Sequence, residues 1–250
     1  MPLLFKIFLA LAALLAIQSL VSLRDGYRFL AHVRRSLRAS RPDFHPPAAV
    51  IVPVKGIEAG FGAYIQSLLT QDYPDFSLIF TLALESDPAH ACLTDRLRAY
   101  QPAAGRGPRD VKQVIAGISP GRGEKVNNLL GALKEVSSAA QVLVFADADV
   151  RLRGDWLRSL VGPLADPAVT VSTGFRWYLP GPTFASRFRA AWDTSIATLL
   201  GEHRRNFAWG GSMAIRVADF RRLRVAEGYW AATVSDDYGL TRAVRGAGGW

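Results

Sequence analysis

The chain has 250 residues, half of them apolar, a formal charge of +9 and one cysteine, Cys92. That length accommodates one substantial domain with an appendage or two small domains. A lone cysteine excludes an internal disulfide framework and suits a reducing compartment. The basic balance raises the question of nucleic acid, but no helix-turn-helix, zinc-finger or RNP motif occurs, so nucleic acid is not an expected partner.

From Leu3 to Leu23 the only strongly polar residues are Lys6 and Gln18. At about 1.5 Å per residue such a helix crosses a hydrocarbon core of roughly 30 Å. A cleaved signal peptide is the rival reading, yet the run is long for its apolar region and no clear small-x-small site precedes Arg24. Residues 1–23 therefore read as a retained transmembrane anchor. Arg24, Arg28, Arg34, Arg35, Arg38 and Arg41 follow, against the single acid Asp25. Arginines massed on one flank assign that flank to the cytoplasm and attract anionic headgroups. Pro42, Pro46 and Pro47 break any continuing helix, so residues 24–47 read as a basic juxtamembrane segment and linker.

A globular pattern then alternates. Ala48 to Val54 reads as a buried strand, Phe61 to Gln71 as a helix, and Phe76 to Leu84 as a second strand. A helix through Leu93, Leu97 and Tyr100 follows, then a strand over Asp110–Ala116 and a helix over Lys125–Val136. Beyond the next strand come a helix over Asp155–Leu164, a strand over Val169–Tyr178 and one long helix over Phe184–His203. Trp209 to Arg216 reads as a Gly-led strand, and Asp236 to Val244 as a helix with acids in its first turn, where the dipole favours them. Alternating strands and helices predict parallel βαβ units in a three-layer α/β/α sandwich.

The strand over Gln141–Ala146 runs straight into Asp147-Ala148-Asp149. A short apolar run bounded in this way is buried on both faces, and its carboxyl end lies where open α/β sheets bind ligands. Residues two apart in a strand point the same way, so Asp147 and Asp149 can converge on one cation or polar ligand. Two solvated turn aspartates explain the same letters equally well.

The ordered features decide between those readings, because together they resemble a family. Pro53-Val54-Lys55-Gly56, Gln71-Asp72-Tyr73-Pro74, Asp87-Pro88-Ala89, Lys125-Val126-Asn127-Asn128-Leu129, Asp147-Ala148-Asp149, Gly210-Gly211-Ser212 and Asp236-Asp237-Tyr238 occur in this order. The series resembles the family 2 glycosyltransferases of GT-A fold, most closely the branch of ceramide and hopanoid glycosyltransferases, from about Ala49 to Trp250.

The resemblance implies a Rossmann-like GT-A domain over residues 48–250. It would move a hexose, with inversion, from a nucleotide-sugar donor, UDP-linked, to a membrane lipid hydroxyl. A processive polysaccharide synthase and an impaired sugar-nucleotide-binding protein are the alternatives. By the same resemblance Asp149 binds a divalent cation, Mg²⁺ or Mn²⁺, a hard ion suited to carboxylate oxygen. Asp147 serves the nucleotide or the same metal shell, Lys125 the diphosphate, and Glu85, with Asp87 in reserve, the base or ribose. Asp237 is the general base. Asp236, His203 and Arg205 lie on the acceptor side, where one or two of Trp177, Tyr178, Trp192, Trp209 and Trp230 are expected to line a pocket. Family members continue into a further strand and a Gln/Arg-x-x-Arg-Trp motif, so the C-terminus is expected to be incomplete at Trp250.

Overall fold

The computed structural model describes residues 2–39, 43–101, 107–201 and 206–249. Its chain divides into two compact units, residues 1–40 with 177–206, and residues 41–176 with 207–250. In the first unit, helix α1 (Leu3–Arg38) is unbroken for 36 residues and buries none of them. It is long and apolar enough to cross a membrane. The helix continues well past the apolar run because no proline intervenes before Pro42, so much of the expected basic segment is helical.

The second unit is built on β1 (Ala48–Pro53), α2 (Phe61–Leu69), β2 (Phe76–Leu82), α3 (Pro88–Ala99), β3 (Asp110–Ile115), α4 (Glu124–Leu133), β4 (Val142–Ala146), α5 (Trp156–Val161) and β5 (Val171–Thr173). Between β5 and the next strand the chain supplies α6 (Phe184–Ala197) to the first unit. It then returns as β6 (Ser212–Arg216), α7 (Val217–Arg222) and α8 (Asp236–Gly246).

The sheet order is β3-β2-β1-β4-β6-β5. Strands β1 to β4 run parallel, while β6 is antiparallel to both of its neighbours. Alternate residues divide the core between the two faces, as the period of a strand requires. Val50, Val52, Leu78, Phe80, Val142 and Val144 pack with Tyr64 and Leu68 of α2, Leu93 of α3 and Leu157 of α5. Ala49, Ile51, Ile79, Leu143, Phe145 and Ile215 pack with Val126 and Leu129 of α4, Leu240 of α8, Phe220 and Trp230. This is the expected three-layer sandwich with a mostly parallel sheet.

Several elements differ from expectation. The helix expected over Asp155–Leu164 ends at Val161 and tightens into a 3₁₀ turn over Gly162–Ala165, which carries Pro163. The strand expected over Val169–Tyr178 keeps only Val171–Thr173; just past it Gly174 comes so close to Ser212 that a Cβ would lie 2.5 Å from its hydroxyl. Helix α6 ends at Ala197 rather than His203, and residues 202–205 lie outside the described residues. The short α7 and the π turn over Val225–Tyr229 had no periodic signal to announce them.

Candidate active site

The strand order reverses between β1 and β4, since β2 and β3 extend one way from β1 and the later strands extend the other. Ligands in open α/β sheets bind at such a switch point, outside the carboxyl ends of the strands. A cleft of about 410 Å³ opens there, lined by Lys55 and Gly56 after β1, Asp147 and Asp149 after β4, Lys125 and Asn128 of α4, and Arg176.

Lys125 is its electrostatic centre. Its Nζ lies 2.8 Å from Asp147 Oδ1 and 3.1 Å from Asp236 Oδ1, and donates to the Gly210 carbonyl at 3.4 Å. Burial by itself would lower the Lys125 pKa, but Asp236 and Asp147 outweigh it and hold the pKa above its usual value. Asp236 is nearly buried. Desolvation pushes its pKa up, the Lys125 cation pulls it down, and the Asp237 and Asp147 charges push it up again, leaving it raised. Its Oδ2 is buried without a hydrogen-bond partner. On the other side of the cleft Asp149 Oδ2 meets Arg176 Nη1 at 2.6 Å.

Tyr64 of α2 adds a buried hydroxyl without a hydrogen-bond partner. Burial first, then the Asp147 and Asp149 charges, raise its pKa well above the usual phenol value. Both aspartate charges reach the Tyr64 hydroxyl, at this end of the sheet.

The turn before β6 fits against these groups only because it is glycine. A Cβ on Gly210 would stand 3.1 Å from both Asp236 Oδ2 and Asp237 Oδ2 and 3.2 Å from Lys125 Nζ. A Cβ on Gly211 would stand 2.8 Å from Asp147 Oδ2. The Gly210 amide donates to Asp237 Oδ2 at 3.2 Å, and the Tyr238 amide donates to Asp237 Oδ1 at 2.7 Å. The Ser235 hydroxyl donates to that same Oδ1. Three donors thus fix the Asp237 carboxylate.

Trp230, one of the aromatics considered for an acceptor pocket, is instead a core residue with no exposure. It meets Phe145 and Phe220 edge-on at 5.2 and 5.4 Å, and its indole donates to the Asp236 carbonyl at 2.8 Å. Gly239 passes where a Cβ would be 2.8 Å from the indole. The start of α8, and with it the Asp236-Asp237 pair, is therefore pinned to the core. Gly123 has a comparable task, for its amide donates to the Thr233 carbonyl at 2.9 Å and a Cβ would collide with Val234. That approach brings the Lys125 end of α4 beside the start of α8.

Asp87 caps α3, accepting from the Ala89 amide at 2.8 Å. It also takes the Gly56 amide at 2.9 and 3.1 Å, which ties the loop after β1 to the loop after β2. Glu85 is exposed at the end of β2 and does not line the cleft. His203 and Arg205 lie outside the described residues. The charged cleft residues that local sequence did not single out are Arg176, Glu58 and Glu124. Each is one charge among many, with no pattern around it.

Among the described residues no group of three or more His, Cys, Asp or Glu side chains forms a metal cage. Asp149, two-fifths exposed in the cleft, with Asp147 beside it, offers hard carboxylate oxygen. Mg²⁺ and Mn²⁺ accept one or two carboxylates when water and phosphate oxygens complete the shell, so this donor set fits such an ion.

The profile of glycosyl transferase family 21 matches residues 11–250. No curated protein matches the chain. Among solved structures, the mannosyltransferase PcManGT from Pyrobaculum calidifontis, in complex with GDP-Man and Mn²⁺, superposes with a TM-score of 0.55 at 18% identity. The match covers 92% of this chain and 63% of that one, so the chain spans less than two thirds of that protein. Glucosyl-3-phosphoglycerate synthase from Mycobacterium tuberculosis, in complex with Mn²⁺ and UDP-glucose, gives 0.44 at 18% identity over 74% of this chain and 64% of its own. The mannosyltransferase superposition supports the GT-A fold.

Proposed function

Because the chain belongs to glycosyl transferase family 21, we propose that it transfers a hexose from a UDP-linked donor to a lipid hydroxyl, of the ceramide, hopanoid or glycerolipid kind, at the cytoplasmic face of a membrane held by α1. The family placement sharpens the family 2 resemblance and leaves the branch within the proposal. The observation that carries the reading is the switch-point cleft, in which Lys125 links the aspartates after β4 to the acid pair that opens α8.

In this reading Asp149, with Asp147, would hold a divalent cation, which when bound would supply charge neutralisation for the leaving diphosphate. Lys125 and Arg176 are the cationic side chains that face the phosphate oxygens. Arg176 presents a planar donor fork and Lys125 a point charge. Asp237 is the general base: it accepts the proton of the acceptor hydroxyl as the new glycosidic bond forms opposite the departing diphosphate. Its three fixed donors hold the carboxylate in one orientation. Asp236 orients Lys125. Glu85 at the end of β2 is assigned to the base or ribose, and Asp87 shapes that edge by holding Gly56.

Transfer assays with UDP-hexose and Mn²⁺ test the assignment. Asp237→Asn should lower kcat by ~10²–10⁴-fold while nucleotide binding persists, the loss typical of a removed general base. Asp236→Asn should act mainly on donor binding. If Asp236→Asn abolishes turnover and Asp237→Asn does not, the base has been misassigned.

A further inference from the structure

The first unit carries an exposed aromatic surface that contributes no residue to the lining of the switch-point cleft. Helix α6 exposes Phe184, Phe188 and Trp192 at 82, 58 and 66%. They stand four residues apart and form one stripe, with Phe184 stacked on Phe188 at 6.2 Å and Trp192 tilted against Phe188 at 6.1 Å. Leu179, just before the helix, is 86% exposed. The opposite face, Ser186, Ala190, Asp193 and Ala197, is partly or fully buried, so the aromatic face is the outward one.

Charge frames the stripe. At 3.6 residues per turn, Arg187 and Arg189 fall roughly 100° to either side of its centre. Both are exposed, and the Arg189 guanidinium lies 4.7 Å over the Tyr178 ring. An outward aromatic face with arginines along both borders is the apolar face and basic flank of a helix that lies in the plane of a bilayer interface.

Its level is set within the same unit. Helix α6 packs on α1, and Trp177 stands 6.4 Å from Phe29. Phe29 follows Leu23, the end of the apolar run, by about 9 Å along the helix at ~1.5 Å per residue. That is the headgroup zone of a membrane spanned by Leu3–Leu23, where Trp and Arg side chains are at home.

We propose that α6 is a membrane-interface helix whose Phe184–Phe188–Trp192 face enters the headgroup/acyl boundary of an anionic bilayer, with Arg187 and Arg189 on its phosphates. The inference rests on α1 spanning that bilayer, and it is independent of which sugar or lipid reacts.

The test uses the whole 250-residue chain carrying Cys92→Ser, reconstituted in phosphatidylcholine/phosphatidylglycerol nanodiscs. One spin label at a time is placed at Phe188→Cys, at Leu11→Cys in α1, or at Glu227→Cys on the exposed surface. Collision with oxygen and with a water-soluble nickel chelate then reads depth. The label at position 188 should be oxygen-accessible and nickel-protected, about 5–10 Å below the phosphates. The label at 11 should lie deeper and the label at 227 in water.

A position-188 label as open to nickel as that at 227, with 11 still deep, would overturn the interface helix and leave the anchor standing. Nickel access at 11 as well would remove the anchor. A position-188 label shielded from both reagents would mean that a second copy or another protein surface covers the stripe, which also overturns the proposal. Replacing phosphatidylglycerol by phosphatidylcholine should move the 188 label toward water, and an unchanged depth would refute the arginine contribution.

Discussion

Lys125 is placed where two acids from distant parts of the chain would otherwise repel each other. Its raised pKa means that its pairing stabilises the fold below the usual lysine value and is lost as pH rises through the raised value. Asp236 has the opposite sign: an acid with a raised pKa favours the folded state below its usual value and costs stability as pH rises through the raised one. In Lys125→Met the cation that pulls the Asp236 pKa down is gone, so that cost grows. We expect a loss of about 2–3 kcal/mol near neutrality, below the ~3–5 typical of a fully buried pair because Lys125 is a third exposed. Urea denaturation should show a smaller deficit at about pH 5 than at about pH 8; a deficit that shrinks as pH rises would contradict this account. Gly211 makes a second residue-scale claim. A methyl 2.8 Å from Asp147 Oδ2 must displace that carboxylate. Calorimetry of Gly211→Ala should find UDP–Mn²⁺ binding weakened ~10-fold, about 1.4 kcal/mol, with the fold retained. Undiminished affinity would remove Asp147 from the nucleotide site.

At the scale of elements, side chains cap α3 and α8, whereas α2 and α4 start on glycines. Asp87 has two tasks, as the cap of α3 and as the acceptor of the Gly56 amide. Asp87→Ala should cost about 2 kcal/mol, roughly one for the cap and one for the lost loop bond, measured as a fall in the urea midpoint. Asp87→Asn keeps an acceptor oxygen and should stay within about 0.5 kcal/mol of the parent, since Asn and Asp cap comparably. Equal losses in both would show that charge, rather than the hydrogen bonds, holds the loop. The start of α8 was legible in its Asp-Asp pair because the helix dipole acts within the first turn, whereas the capping role of Asp87 emerged only in the structure. The need for glycine at Gly174 was not legible, because the close neighbour, Ser212, comes from another strand.

At the scale of the whole molecule, the two units bury their apolar residues differently. The unit of residues 41–176 with 207–250 buries aliphatic and aromatic side chains on both faces of its sheet. Helix α1 buries none of its residues and is long and apolar enough to cross a membrane. The chain should therefore stay with membranes through alkaline carbonate extraction, and removal of residues 2–23 should release it or lower its retention sharply. Full extraction of the intact chain by carbonate would deny α1 a spanning role.

By itself, the sequence determined the features that depend on neighbours in the chain. These were the alternation of strand and helix, the apolar length of the first segment, the acids that open α8, and the aspartates that follow β4. Only the tertiary structure decided which of those residues meet. Trp230 became a core anchor for α8, and Asp87 a brace between two loops. The glycines became points of close approach, and Arg176 and Tyr64 joined Asp147 and Asp149 at one end of the sheet. The physical reason is range. Propensity, periodicity and capping act over a few residues, whereas an ion pair such as Lys125–Asp236 exists only after β1, β4 and β6 have paired in register.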